Sequence, residues 1–308
     1  MIHEEAEVAE NVFETQVATA DVIIGQIDLP ESRLKRIPSL RAIINVEGNF
    51  LPNVDYQYCY RHGVRVLTIS PVFAEPVAEL ALGLAIDLGR GITRSDQAFR
   101  SGTEKYGLDA NQEVRSLFHQ PVGLVGFGDL AKALLPLLIP FHCRVRVYDP
   151  WLPPELITQS GSEPCSLEDV LRQSRVIFVL ASATSENKAF LGEPQISEMQ
   201  TGAIFVLLSR AAVVDFDALV RAAQAQHIRV ATDVFPEEPL PQQHPARRTT
   251  NMLLSAHKGG ALDQTLKRIG SIVVADTELI CKGLPPVLCK VAQPETVGMF
   301  RGKPVAKS

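Results

Sequence analysis

The segment Pro121-Val122-Gly123-Leu124-Val125-Gly126-Phe127-Gly128-Asp129-Leu130-Ala131 contains an apolar run, two closely spaced glycines and the beginning of a helix. The apolar run is short and continuous, as in a strand buried within a parallel sheet. In the pattern GxGxx[GA], Gly126 permits a tight turn, Gly128 lets a pyrophosphate approach the backbone, and Ala131 allows close packing of the helix. The segment therefore predicts a strand, turn and helix that bind a dinucleotide at the helix N-terminus. Such a glycine pattern alone also occurs in ordinary turns, so its context decides between the two.

Strand-like runs alternate with helical segments along the chain, and this alternation predicts an α/β fold with parallel sheets and crossover helices. The strand-like runs are residues 20–27, 40–46, 64–69, 122–126, 144–148, 176–180, 203–208, 229–232 and 252–255. Residues 75–90 predict a long buried helix, and a polar segment with little strand signal follows at 93–115. We expect a domain junction near this polar segment.

The strand predicted at 144–148 ends in Asp149, roughly 20 residues after the glycine turn. A carboxylate at this distance can accept hydrogen bonds from both ribose hydroxyls of a dinucleotide, and it repels a 2'-phosphate. The sequence therefore predicts NAD rather than NADP as the cofactor. The alternative is that Asp149 only forms a turn ahead of Pro150. Pro136 lies inside the predicted helix, so we expect that helix to be short or bent.

Three polar residues follow apolar runs in the order arginine, glutamate and histidine. Arg210 follows the run 204–208, and Glu238 and His257 come after shorter runs. Because the carboxyl ends of parallel strands face a ligand crevice, these side chains are candidates for one site. Arginine has the planar fork that grips a carboxylate, and histidine can donate or accept a proton near neutral pH. Taken singly, each residue has an ordinary alternative as a capping charge, an exposed acidic turn or a structural histidine.

Composition restricts the class of protein. The 308 residues are 46% hydrophobic with a net charge of -5 and scattered basic residues, which predicts a globular protein without a nucleic-acid or membrane partner. The 5 cysteines form no CxxC pair and no zinc-type cluster, which favours reduced thiols and no bound metal. The N-terminus lacks the features of a signal peptide, and no apolar run reaches about 18 residues. We therefore expect a cytoplasmic location.

Taken together and in their order, several segments resemble the D-isomer-specific 2-hydroxyacid dehydrogenase family, which includes phosphoglycerate dehydrogenase, glyoxylate/hydroxypyruvate reductase and D-lactate dehydrogenase. The segments are Val72-Phe73-Ala74-Glu75-Pro76-Val77-Ala78-Glu79, the glycine turn with Asp149, Ser209-Arg210 with Val214-Asp215, Asp233-Val234-Phe235 with Glu238-Pro239, and His257-Lys258-Gly259-Gly260. The resemblance implies two Rossmann-like domains with parallel sheets, an active site in the interdomain cleft, and a homodimer. We place the substrate domain at residues 1–94 plus 281–308 and the NAD-binding domain at residues 95–280.

The resemblance also implies a reaction, the NAD-dependent interconversion of a 2-oxo acid and a D-2-hydroxy acid by hydride transfer. In this reaction Arg210 anchors the carboxylate, His257 is the general acid or base, and Glu238 orients the imidazole, while Gly48 and Asn49 also bind the substrate. The residues expected to contact the cofactor are Gly126, Gly128, Asp129, Leu130, Asp149, Thr184, Ser209, Asp233, His257 and Gly259. A protein of another class would use the same residues, namely an NAD(H)-binding sensor of the corepressor type with little or no activity.

Two departures from the family pattern bear on the substrate domain. Only weakly patterned residues precede the run 20–27, so we expect the first strand of this domain to be missing. In the glycine loop at 46–55, Phe50 takes a position that is usually glycine, and we expect it to narrow or reshape the substrate pocket. No arginine lies near Val46, where phosphoglycerate-type members commonly have one. Small or apolar 2-oxo acids therefore rank above phosphohydroxypyruvate as predicted substrates.

Overall fold

The computed structural model describes residues 17–112, 114–183, 187–260 and 262–297. The chain divides into two compact units, Met1–Phe73 with Asp263–Ser308 and Ala74–Leu262. The predicted domain limits, 1–94 plus 281–308 and 95–280, divide the chain at other positions and stay a prediction.

The strands, numbered in chain order, are β1 (Val22–Ile24), β2 (Ala42–Asn45), β3 (Arg65–Thr68), β4 (Pro121–Val125), β5 (Arg144–Tyr148), β6 (Glu163–Pro164), β7 (Val176–Val179), β8 (Ala203–Leu207), β9 (Ile228–Thr232), β10 (Met252–Leu254) and β11 (Lys290–Val291). The α-helices are α1 (Glu31–Leu34), α2 (Tyr56–His62), α3 (Ala74–Arg90), α4 (Ile92–Arg100), α5 (Asp129–Leu138), α6 (Pro154–Gln159), α7 (Leu167–Gln173), α8 (Glu193–Ser197), α9 (Phe216–Gln224), α10 (Asp263–Cys281) and α11 (Pro294–Val297). Short 3-10 helices occur at Val17–Thr19, Ser70–Phe73, Gly107–Ala110, Ile139–Phe141, Ala211–Val213 and Pro245–Arg248. Among the helices of these ranges, none is both long and apolar enough to cross a lipid bilayer.

The first unit is built on a sheet with the order β1-β2-β3-β11, in which the first three strands are parallel and β11 is antiparallel to β3. Because successive side chains of a strand point to opposite faces, Ile43 and Ile44 of β2 are buried in two different apolar clusters. Helix α10 covers the Ile44 face with Ile272 and Val273. The prediction that a first strand is missing falls on residues 1–16, which lie outside the described residues.

The second unit is built on a seven-stranded sheet with the order β10-β9-β8-β7-β4-β5-β6, in which all paired strands are parallel. Every residue of β7 and β8 is buried, which explains why their sequences are continuous apolar runs. One face of the sheet packs on α9, whereas α3 packs against α5, β8 and β9. The predicted α/β fold with parallel sheets is confirmed. The strand order changes direction between β4 and β7, and ligands bind at the carboxyl ends of strands beside such a point.

The two helix predictions are confirmed in the second unit. Helix α3 begins at Ala74 and ends at Arg90, close to the predicted 75–90. Helix α5 has 10 residues, includes Pro136 and continues from Leu138 as a 3-10 helix. Since proline cannot donate the hydrogen bond of a helix interior, a short α5 is the expected result.

A buried carboxylate fixes the end of the first unit. Asp276 of α10 is fully buried, and it accepts hydrogen bonds from the backbone amides of Val287 (2.9 Å), Leu288 (3.0 and 3.1 Å) and Cys289 (2.6 Å). Burial is the largest influence on the pKa of Asp276 and raises it, but the hydrogen bonds from Val287, Cys289 and Leu288 together hold the pKa below its ordinary value. The carboxylate therefore stays ionised and holds the segment that leads into β11.

We predict that Asp276→Asn lowers the free energy of unfolding by about 3 kcal/mol at pH 7, because an amide has one acceptor oxygen and leaves buried N–H groups without partners. The pKa of Asp276 is lower in the folded state than in the unfolded state, so its contribution is complete above the unfolded value of about 3.9. That contribution is lost as the pH falls through the folded value. Denaturant titrations over an acidic pH series measure this.

The control is Glu278→Gln, which removes an exposed carboxylate that pairs with Lys282, the residue directly after α10, and we expect it to change stability little. Equal stability losses in the Asp276 and Glu278 variants at pH 7 would contradict the assignment of Asp276 as an anchor.

Candidate active site

The glycine turn joins β4 to α5, and each small residue in it has a separate steric reason. Gly126 has φ +94°, and a Cβ there would lie 2.7 Å from the backbone of Ala181. An added Cβ at Gly128 would meet no atom within 4 Å, so this side of the turn is open. Ala131, in the first turn of α5, is fully buried. The open backbone at a helix N-terminus fits the phosphates of a dinucleotide, and Asp129 and Leu130 are the first two residues of that helix.

Asp149 directly follows β5 and connects this strand to the glycine turn. Its Oδ2 accepts a hydrogen bond from the Phe127 amide (2.7 Å), and its Oδ1 accepts one from the Trp151 amide (2.9 Å). The Trp151 contact is the turn that the alternative interpretation predicted, but the Phe127 contact lies 22 residues away and fixes the glycine turn. Because each carboxylate oxygen can accept two hydrogen bonds, Asp149 retains capacity for ribose hydroxyls.

Ser209 and Arg210 follow β8, separated from it by Leu208. Arg210 has an extended backbone (φ −149°, ψ 137°), and its Nη1 donates a hydrogen bond to the Ser209 carbonyl oxygen (2.8 Å). The Ser209 Oγ is buried and has no hydrogen-bond partner among the described residues. A buried hydroxyl without a partner is unfavourable unless a ligand supplies one. This orphaned atom therefore fits a polar group of a bound cofactor.

Asp233 ties the end of β9 to the loop that follows β10. Its carboxylate is buried and accepts hydrogen bonds from the amides of Lys258 (Oδ1, 2.8 Å) and Gly259 (Oδ2, 2.8 Å). Its backbone carbonyl accepts another from the His257 amide (2.9 Å). A Cβ at Gly259 would lie 3.1 Å from Asp233 Oδ2 and 3.2 Å from a methyl group of Val77, which explains the glycine. Asp233 thus holds the histidine loop, a role that the sequence analysis did not identify.

His257 is held in an uncommon backbone conformation. Its φ is +51°, a value that a residue with a Cβ adopts at some cost in energy. Such strain persists where neighbouring contacts enforce it and is frequent at functional sites. Here the backbone amides of His257, Lys258 and Gly259 all donate hydrogen bonds to Asp233, and these contacts enforce the conformation.

Glu238 and His257 form a short hydrogen-bonded pair. The distance from His257 Nδ1 to Glu238 Oε2 is 2.6 Å, and Glu238 Oε1 accepts a hydrogen bond from the Phe235 amide (2.9 Å). Burial is the largest influence on the pKa of Glu238 and raises it, but the hydrogen bonds from His257 and Phe235 and the charges of His257 and Arg210 together lower this pKa. Glu238 is therefore an ionised acceptor that fixes the orientation of the imidazole ring through Nδ1. The side chain of His257 is about half exposed (49%), as access to a ligand requires.

The structure brings most predicted site residues to one edge of the second unit. Arg210, Asp233 and His257 follow β8, β9 and β10, which are neighbours in the sheet. The glycine turn and Asp149 follow β4 and β5 at the carboxyl edge of the same sheet. Thr184 lies outside the described residues. The sequence does not indicate that Asp233 holds the loop after β10, because its partners are backbone amides 25 and 26 residues away.

The predicted substrate residues Gly48 and Asn49 belong to the first unit, in the loop after β2. Asn45 at the end of β2 and Asn53 exchange side-chain hydrogen bonds of 3.4 and 3.2 Å, and this buried amide pair fixes the two ends of the loop. Phe50, expected to narrow or reshape the substrate pocket, is buried in the apolar cluster of this unit. Its side chain therefore packs into the core of the first unit, and its effect on the substrate pocket stays a prediction.

We predict that Gly128→Ala leaves folding intact but weakens NADH binding about tenfold, which corresponds to about 1.4 kcal/mol. The added methyl group meets nothing in the protein, and it stands where a pyrophosphate would approach. Gly126→Ala is the matched variant and should lower the melting temperature, since its methyl group strikes the backbone of Ala181. Fluorescence titration with NADH and thermal unfolding measure the two effects. Unchanged NADH affinity in Gly128→Ala would show that no phosphate lies against this turn.

Comparison with known proteins identifies the family. Residues 82–259 match the family described as D-isomer specific 2-hydroxyacid dehydrogenase, NAD binding domain. A glyoxylate reductase of Aeropyrum pernix is 28% identical over 273 residues, 85% of this chain and 81% of the relative. A D-3-phosphoglycerate dehydrogenase of Methanocaldococcus jannaschii is 25% identical over 300 residues, 92% of this chain and 56% of the relative. The crystal structure of a phosphoglycerate oxidoreductase from Rhizobium etli has a TM-score of 0.83 and 49% identity, covering 91% of this chain and 86% of that one. The chain therefore belongs to the D-isomer specific 2-hydroxyacid dehydrogenase family of oxidoreductases, with NAD as its cofactor.

Proposed function

We propose that the protein interconverts a 2-oxo acid and a D-2-hydroxy acid, with His257 as general acid and base and Arg210 as the anchor of the substrate carboxylate. The observation that carries this proposal is the 2.6 Å pair of His257 Nδ1 and Glu238 Oε2 at the sheet edge that also presents Arg210. The predicted location in an interdomain cleft, with Gly48 and Asn49 on the substrate, is part of the proposal.

His257 moves the proton. Glu238 accepts the hydrogen bond from Nδ1 and is ionised, so it fixes the imidazole and stabilises the protonated ring. In reduction, Nε2 of the protonated ring donates its proton to the carbonyl oxygen of the 2-oxo acid. In oxidation, Nε2 of the neutral ring takes the hydroxyl proton. A pair of this kind contributes about 100- to 10,000-fold to the rate.

Arg210 holds and polarises the substrate. The guanidinium presents two parallel N–H groups to a carboxylate, a geometry that lysine lacks. Its bond to the Ser209 carbonyl and its extended backbone hold the side chain at the end of β8. The positive charge of Arg210 also contributes to lowering the pKa of Glu238, so the two side chains interact electrostatically.

NAD supplies or accepts the hydride when it is bound. The chain's own residues bind and orient it: the glycine turn and the N-terminus of α5 for the phosphates, Asp149 for the ribose, and the Ser209 hydroxyl for a polar group. Asp233, whose carboxylate also holds the amides of Lys258 and Gly259, is proposed to contact the nicotinamide end of the cofactor, and Thr184 is proposed as a further contact.

Small or apolar 2-oxo acids are the proposed substrates. The loop between Asn45 and Asn53 offers no arginine for a phosphate group, and Glu47 lies in it. Phosphohydroxypyruvate is the second candidate, because the relative from Rhizobium etli that is 49% identical is named a phosphoglycerate oxidoreductase. A homodimer is the proposed assembly, as the family resemblance implies.

We predict that the protein oxidises NADH with at least one of glyoxylate, hydroxypyruvate, pyruvate, phenylpyruvate and phosphohydroxypyruvate. His257→Ala should lower kcat about 100- to 10,000-fold, because no other group would supply the proton, and it should leave NADH affinity nearly unchanged. His62→Ala is the control, since His62 is an exposed histidine at the end of α2.

The results separate the two functional classes. Wild-type activity in His257→Ala would contradict the assigned acid. NADH binding without turnover of any of the five acids would instead favour the NAD(H) sensor, which uses the same residues.

We predict that Arg210→Lys lowers kcat/KM at least tenfold, because lysine keeps the charge and loses the bidentate geometry. A tenfold loss corresponds to about 1.4 kcal/mol of binding to the transition state. Steady-state kinetics with the best acid of the panel measure this, and binding of NADH should remain. A variant that matches the wild type in kcat/KM would show that charge alone is sufficient at this position.

A further inference from the structure

Glu238, which holds the imidazole of His257, lies on an exposed loop after β9. We call residues 235–241 the acid loop, and its residues 236–239 are exposed. Groups that orient a catalytic side chain need to be held within about 0.5 Å of their working position. An exposed loop can hold Glu238 that closely only if other contacts fix its two ends.

Phe235 fixes the start of the acid loop. Its ring lies edge-on to that of Phe216 in α9, with the ring centroids 6.0 Å apart and the planes at 69°, and it packs against the apolar core of the second unit. Its amide donates the 2.9 Å hydrogen bond to Glu238 Oε1. The same residue therefore anchors the loop to the core and contacts the carboxylate.

Arg247 fixes the end of the acid loop. Its Nη2 donates a hydrogen bond to the Leu240 carbonyl oxygen (2.6 Å), and its Nε donates one to the Pro241 carbonyl oxygen (3.0 Å). These two acceptors follow Glu238 closely in the chain. Because the guanidinium is planar and its donors have fixed directions, it holds two successive peptide groups in one orientation.

The segment that carries Arg247 is attached to the core. Arg247 lies on the 3-10 helix Pro245–Arg248, whose Ala246 is buried in the apolar core of the second unit. The side chain of Leu240 is buried in the same core. The His244 amide adds a third hydrogen bond to the loop end, at the Pro241 carbonyl (3.1 Å). These contacts connect the end of the acid loop to the packed interior.

An ordinary explanation is that Arg247 only stabilises a turn. Its neighbour Arg248 fits that description, because Arg248 Nη2 donates to the side-chain oxygen of Gln243 (3.2 Å), outside the acid loop. Arg247 differs, since both of its acceptors belong to the loop that carries Glu238. A shift of either peptide group would move the carboxylate away from His257, and a hydrogen bond of 2.6 Å tolerates little displacement.

We propose that Arg247 is a positioning residue for the pair of Glu238 and His257. By fixing the carbonyl groups of Leu240 and Pro241, it holds the carboxylate where it orients the imidazole. The effect of Arg247 on the reaction rests on the proposed function of His257, whereas its effect on the geometry of the pair does not.

The arrangement also has a consequence for pH dependence. Burial raises the pKa of Glu238, whereas the hydrogen bonds from His257 and Phe235 and the charges of His257 and Arg210 lower it, and together they hold it below its ordinary value. A displaced acid loop lengthens these hydrogen bonds, so the pKa of Glu238 rises toward its ordinary value. Because Glu238 has to be ionised to accept the Nδ1 proton, the acidic limb of the pH profile of kcat then moves to higher pH.

The test compares Arg247→Gln and Arg247→Lys with Arg248→Gln, the matched control on the same 3-10 helix. Glutamine removes the fork and the charge, whereas lysine keeps the charge on a single nitrogen. The readouts are kcat and KM with the best acid of the panel over a pH series, NADH affinity, and the nitrogen NMR spectrum of the His257 ring, assigned by its loss in His257→Ala. The ring spectrum needs no turnover. Thermal unfolding sets a temperature at which the variants are folded.

We expect Arg247→Gln to lower kcat at least about tenfold, since a displacement of about 1 Å can cost about 100-fold. The KM for the acid and the affinity for NADH should stay near the wild-type values, because Arg210 and the glycine turn are unchanged. The acidic limb of kcat should move to higher pH. In the neutral ring, the wild type should carry the proton on Nδ1, and Arg247→Gln should show a mixture of the two tautomers. Arg247→Lys should give an intermediate kcat, and Arg248→Gln should match the wild type.

Wild-type kcat in Arg247→Gln would overturn the proposal, and so would a lowered kcat with an unchanged ring spectrum, a loss confined to KM, or equal losses in Arg247→Gln and Arg248→Gln. If Arg247→Gln does not fold, Arg247→Lys decides by the same readouts. Absence of turnover in the wild type would count against the proposed function alone, because the ring spectrum still reports whether Arg247 orients the pair.

Discussion

The carboxylate of Asp233 is the constraint on which the arrangement at the sheet edge depends. It is buried directly after β9, and it accepts hydrogen bonds from the backbone amides of Lys258 and Gly259 in the loop after β10. A buried carboxylate without these partners would be strongly unfavourable. The loop is therefore fixed in the one conformation that satisfies it, and that conformation places His257 at a positive φ. Glu238 reaches the imidazole only because the loop holds this position.

Charge and burial act together on the pair of Glu238 and His257. Burial would favour a protonated carboxyl group, but two hydrogen bonds and two positive charges outweigh it and lower the pKa of Glu238. A neutral carboxylic acid would itself donate a proton and could hold the ring in either tautomer. An ionised Glu238 only accepts, so it selects the tautomer or protonation state with a proton on Nδ1. The proposed proton exchange with a substrate therefore uses Nε2.

Residues whose role follows from a local rule could be predicted from the sequence. Gly126 needs a positive φ, β8 needs a continuous apolar run, and Pro136 shortens α5, and each of these is visible in the chain. The sequence did not predict the contacts that span the fold. Asp149 binds the amide of Phe127 and Asp233 binds two amides of a distant loop, and neither backbone amide carries a residue-type signal. The burial of Phe50 was missed for a related reason, because a loop position does not indicate which way the side chain points.

Pro136 shows why a local defect leaves the dinucleotide site intact. The positive end of a helix acts within its first turn, and in α5 that turn begins at Asp129, with the Lys132 amide already bonded to the Gly128 carbonyl. Pro136 lies near the other end, where the helix stops two residues later. The amide that proline lacks would have bonded to the carbonyl four residues earlier, so the lost bond leaves the N-terminal amides unchanged. A proline at position 130 or 131 would instead remove a donor or the close packing of Ala131 beneath the turn. The position of the proline, rather than its presence, is therefore what makes the short helix compatible with binding NAD.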